Sequence, residues 1–270
     1  MSKKFQALLN RQSPALQSLL TFLMAFLGSQ FFAPQFNSNH VLLNSVLLQF
    51  GFVFGIPFIM GRSLNLGTRT EFKLKPTSFR NLAFSTLVAL SLISLLEELG
   101  YIQSRFLGEV FGQGFSILKI LKVNTASDFG WTFLAIALVP AFCEEFLFRG
   151  FIFNRLIQPN QTGQAVMVSS VLFGVFHRHL SVLLNYTVAG IVLSLIVYRS
   201  GSLFNSILAH AVINTTAIVI VNSNQVSSIF STGHRGHLPV TLLAASLAGL
   251  VYGLKSLRSE DAGKSAPNSL

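Results

Sequence analysis

Residues 133–153 read FLAIALVPAFCEEFLFRGFIF. Apart from Glu144, Glu145 and Arg149 the stretch is almost wholly apolar, and its 21 positions are about what an α-helix needs to cross a hydrocarbon core of ~30 Å. Ionisable side chains at that depth are costly, and they usually face the interior of a helix bundle, where they pair or take part in chemistry. The rest of the chain agrees with a membrane setting. Of its 270 residues 51% are hydrophobic and only 10% charged, with a mean hydropathy of +0.60, against about 25% charged residues in soluble domains.

Eight apolar runs are long enough to be read as spans, near 15–34, 41–60, 80–97, 129–153, 163–181, 183–199, 202–222 and 238–256. The expected fold is therefore an all-α polytopic membrane bundle of about eight transmembrane helices. It forms one domain over 1–260, with a motif-bearing core at 125–222 and a disordered polar tail at 261–270. The long connection 98–127 mixes apolar and basic positions at helical spacing and reads as an interfacial helix. No cleavable leader is expected, and the single cysteine, Cys143, excludes an internal disulfide framework.

The net charge of +10 follows the positive-inside pattern rather than a nucleic-acid surface. Of the 19 lysines and arginines, only Arg105, Lys119, Lys122, Arg178 and Arg235 fall on the side opposite both termini. Both termini are thus expected in the cytoplasm, with membrane lipids as the surrounding partners and no role for nucleic acid. The membrane is read as a bacterial plasma membrane or an organellar one.

The polar residues inside the spans are few. Glu145 and Arg149 are spaced i,i+4 and share a helix face, whereas Glu144 points about 100° away. His177 lies in VLFGVFHRH, and His210 and Asn214, again i,i+4, lie in LFNSILAHAVIN. At ~1.5 Å of rise per residue, Glu144, His177, His210 and Asn214 fall roughly 18, 21, 12 and 18 Å from the cytoplasmic ends of their spans, so they can meet in one layer. Such a layer suits hydrolysis. A carboxylate in a dry pocket serves as a base, a histidine shares proton transfer, and a second histidine with an asparagine donates to an oxyanion. Alternatively Glu144, His177 and His210 hold a zinc ion that activates water. There is no H-E-x-x-H, no G-x-S-x-G and no aspartate pair within a span. Glu97 and Glu98 read as interfacial, His179 as a membrane-edge residue, and His234 and His237 as loop residues.

EEFLFR, with the form E-E-x-x-x-R, FGVFH, Phe173 to His177, and HAVIN, His210 to Asn214, follow one another on separate spans. In that order they resemble the CPBP family of intramembrane proteases, also called the Abi or CAAX-protease family, which includes the type II CAAX prenyl endopeptidases. The resemblance covers about residues 125–222. It implies an eight-helix bundle with a cavity open to the cytosol, Glu144 and His177 activating water, and His210 and Asn214 stabilising the oxyanion. It also implies Glu145 and Arg149 holding the site; Phe173 itself reads as cavity wall or packing. The substrate it implies is a membrane peptide or a prenylated protein. Both a metal-dependent and a glutamate-based mechanism are associated with the family, so zinc stays open as a cofactor. The rival readings are a non-enzymatic membrane scaffold or immunity and regulatory protein, and a haem protein using His177 and His210 as axial ligands.

Overall fold

The computed structural model describes residues 3–33, 40–67, 69–107, 121–226 and 237–259, and no strand occurs among them. The calls on His234, on the tail 261–270 and on most of the interfacial segment lie outside these residues. Among the described residues the chain is organised by the helices α1 Lys3–Asn10, α2 Pro14–Phe32, α3 Val41–Ser63, α4 Phe79–Leu107, α5 Ala126–Leu156, α6 Thr162–Phe176, α7 Leu180–Ser200, α8 Leu203–Asn222 and α9 Val240–Ser256. Six of them, α2, α3, α4, α5, α7 and α8, are long and apolar enough to cross a membrane. The remaining apolar pair, α6 and α9, has 15 and 17 residues.

The helix ends have local causes. Ser13 caps α2 by accepting from the Leu16 amide, with Pro14 in the first turn. Thr125 and Asp128 form a reciprocal capping box at the start of α5. Gly201, at φ 72°, ends α7 in the left-handed conformation that glycine adopts without steric cost. Two boundaries differ from the hydropathy reading. α4 continues through Leu107, so Glu97 and Glu98 lie within a helix and not at its end. Glu98 there pins the approach to α9, accepting from His237 Nδ1 at 2.6 Å and from the Leu238 amide at 2.9 Å. The run 163–181 is interrupted: α6 stops at Phe176, and a turn through His177–His179, with Arg178 at φ 61°, reverses the chain into α7.

α5 is not a uniform α-helix. Its turns widen over Phe133–Leu138 and again over Phe146–Phe153, as α3 does over Gln49–Phe54. Pro140 explains the first. It has no N–H to offer to the carbonyls one turn back, and in a membrane those groups must find partners within the protein. They do so from neighbouring helices: Ser45 Oγ donates to the Ala135 carbonyl at 3.5 Å and Asn214 Nδ2 to the Ile136 carbonyl at 3.2 Å.

Two large apolar clusters hold the helices together. One gathers Phe22, Phe146, Phe148 and Phe173 from α2, α5 and α6, and is closed from the α3–α4 connection by Phe72, which stacks on Phe146 at 4.4 Å. The other joins α4, α7 and α8 through Val88, Leu92, Leu193, Ile196 and Ala209, with Leu250 and Leu254 of α9 packed against it. Close helix approaches depend on small residues. A Cβ on Gly190 would lie 2.9 Å from Ser170, and one on Gly253 would lie 2.7 Å from Val88.

Candidate active site

The two glutamates of α5 are buried and face different neighbours. Glu145 points into the bundle core. Its Oε1 accepts from Arg149 at 2.6 Å and from His210 Nδ1 at 2.9 Å. Arg149, fully buried, also donates to the Gly190 carbonyl at 3.1 Å, and its guanidinium lies 4.4 Å from the Phe173 ring centre. Each charge in this group thus has an opposite charge or a carbonyl beside it, the condition under which ions persist in a low-dielectric interior.

Glu144 looks the other way. Its Oε1 accepts from Gln49 Nε2 of α3 at 2.8 Å. Its Oε2 has no hydrogen-bond partner among the described residues and lies 3.9 Å from His177 Nε2 and 3.9 Å from His210 Nε2. Both histidines are tautomerically fixed by their other nitrogen. His177 Nδ1 is 2.9 Å from the Phe173 carbonyl, which can only accept, so Nδ1 carries the proton. His210 Nδ1 faces the Glu145 carboxylate and carries its proton for the same reason. Both Nε2 atoms are therefore turned toward one carboxylate oxygen.

Local structure explains why each ring sits there. His177 is the residue that closes α6, placed at the turn and left partly open. Its ring stacks on Tyr186 of α7 at 3.5 Å and 12°. Phe173 presents an edge or face to His177 at 4.9 Å and to His210 at 5.7 Å, forming the wall between them. Of the residues singled out in the sequence, Glu144, Glu145, Arg149, Phe173, His177 and His210 come together. Asn214 lies one turn further along α8, with its amide nitrogen on the Ile136 carbonyl, and an amide nitrogen retains a second proton. Gln49 and Tyr186 were not singled out. Gln49 left one trace, an amide in the apolar run 46–54; Tyr186 left none.

A zinc ion is poorly matched by this geometry. Ligand atoms around a tetrahedral zinc lie about 3.4 Å apart. Both gaps from Glu144 Oε2 are 3.9 Å. No group of three or more His, Cys, Asp or Glu among the described residues could hold a metal ion.

Fold and site together define a polytopic α-helical membrane protein with an acid–imidazole cluster buried among its spans. Comparison with known proteins is specific to the same region. Residues 126–216 match the family described as "Type II CAAX prenyl endopeptidase Rce1-like". Over 84 residues the chain is 32% identical to "Putative membrane peptidase YdiL" of Bacillus subtilis (strain 168), a match covering 31% of this chain and 34% of that protein. The chain thus spans about a third of the length of that curated relative. No solved structure matches. The resemblance to the CPBP, or CAAX-protease, family read from the three motifs is shown by these two matches.

Proposed function

We propose that this protein is an intramembrane endopeptidase that hydrolyses a peptide bond with water activated by Glu144 and His177. The observation that carries the reading is the partnerless Oε2 of Glu144, held 3.9 Å from two imidazole nitrogens. A water seated there donates one hydrogen bond to Glu144 and one to His177 Nε2, which leaves a lone pair to face the substrate carbonyl. Attack forms the C–O bond while Glu144 takes the water's proton. When the C–N bond breaks, that proton passes to the leaving nitrogen and the carboxylate is regenerated.

The oxyanion is met by His210, with the second N–H of Asn214 as a further donor. His210 can donate from Nε2 only as an imidazolium, since Nδ1 already donates to Glu145. Glu145 and Arg149 hold His210 in place, and Phe173 separates the imidazoles. The substrate class is a membrane peptide or a prenylated protein, and lipids surround the enzyme. Both termini are assigned to the cytoplasm, on the Lys/Arg distribution, and residues 1–260 to a single transmembrane domain.

The test is a comparison of membrane peptides by mass spectrometry between wild type and Glu144→Gln, each purified in nanodiscs. Loss of the general base is expected to reduce cleavage by about 10²- to 10⁴-fold with thermal unfolding unchanged. Products appearing at the wild-type rate with Glu144→Gln would overturn the assignment.

A further inference from the structure

We infer that Gln49 is a positioning residue for Glu144, contributed by a helix outside the segment that carries the family match; this rests on the hydrolytic reading above. Gln49 stands 95 positions from Glu144 in the chain and begins the widened turns of α3, and its Nε2 donates to Glu144 Oε1 at 2.8 Å. It shares a helix face with the buried Val53, four residues on, while Phe50 next to it is turned outward. The matched segment, 126–216, contains Glu144, His177 and His210, but nothing among the contacts seen there fixes the rotation of the Glu144 carboxylate. A terminal carboxylate torsion is soft, and each of its oxygens is an equivalent acceptor. Binding Oε1 breaks that equivalence and leaves Oε2 aimed between the two Nε2 atoms. The orientation of the amide follows too, since its reversal would set the Gln49 carbonyl oxygen against a carboxylate oxygen.

A simple role as interhelical glue makes a different prediction. Glue contributes stability, and its loss scales activity with the folded fraction. A positioning contact acts on the chemical step, and a misplacement of about 1 Å costs up to ~10²-fold. The experiment uses the full chain in nanodiscs and a peptide found by the mass-spectrometric comparison. Gln49→Met keeps length and removes the donor; Gln49→Asn keeps the amide and shortens its reach. Both are expected to lower kcat by about 10- to 100-fold, with KM within about twofold and thermal unfolding close to wild type. A Gln49→Met protein with wild-type kcat, or one whose lost rate is accounted for by its unfolded fraction, overturns the inference. Glu144→Gln is run alongside. If it is inactive while Gln49→Met is fully active, only the role of Gln49 falls; if Glu144→Gln itself cleaves, the hydrolytic reading falls first.

Discussion

Glu145 and Arg149 occupy a place that neither could hold alone. Arg149→Met would strand the Glu145 carboxylate in the core, and breaking a buried pair in this way costs about 3–5 kcal/mol. The double variant Glu145→Gln/Arg149→Met removes both charges and is expected to recover much of that loss, measured by thermal unfolding in detergent. Tyr186 gives a second prediction. Its ring lies flat on His177, so Tyr186→Phe, which keeps the stack, should retain activity, while Tyr186→Leu should lower kcat about tenfold through a looser imidazole. At this scale the sequence was informative where partners share a helix. Spacing alone placed Glu145 against Arg149 and turned Glu144 elsewhere. Gln49 and Tyr186 were invisible because their partners sit on other helices, and no spacing along the chain records which helices become neighbours. Asn214 was legible as a polar residue at depth, but the use of its amide on the Ile136 carbonyl depends on Pro140 in another span.

Helix packing separates two kinds of close contact. Gly190 lets α7 approach Ser170 of α6, and its carbonyl accepts from Arg149. Gly190→Leu would force these two helices apart at the level where Arg149 binds the Gly190 carbonyl, so both stability and kcat are expected to fall. Gly253 seats α9 on Val88 of α4, away from the carboxylates. Gly253→Leu is expected to lower the unfolding temperature while the rate per folded molecule stays within about twofold, as for distant, independent sites. Enzyme assays normalised to folded protein separate the two outcomes. Each of the eight apolar runs contains a helix, because a window of hydropathy sums many weak preferences and tolerates local error. The same averaging hid the turn at His177–His179 and carried one expected span through it. A single residue at positive φ, Arg178, reverses the chain there, and one residue hardly alters a 20-residue mean.

Over the whole molecule, the outward surface is apolar on nearly every helix: Leu19, Leu27 and Phe31 on α2, Leu47 on α3, Leu90 on α4, Val171 on α6 and Leu247 on α9 are all well exposed. A surface of this kind is a liability in water and ordinary against acyl chains. Val171→Lys is expected to cost about 3 kcal/mol, read as a lower unfolding temperature and yield in lipid, whereas Val171→Leu should be neutral. The brevity of α6 has a further effect. Its 15 residues reach only about 22 Å, short of a ~30 Å hydrocarbon core, and its end carries Arg178 and His179 at the surface. A helix too short for its bilayer draws the headgroups inward. In a Cys143→Ala background, a cysteine at His179 should react with a membrane-impermeant maleimide, and one at Val171 should not. A dimple over α6 would bring solvent to the end of the helix that carries His177.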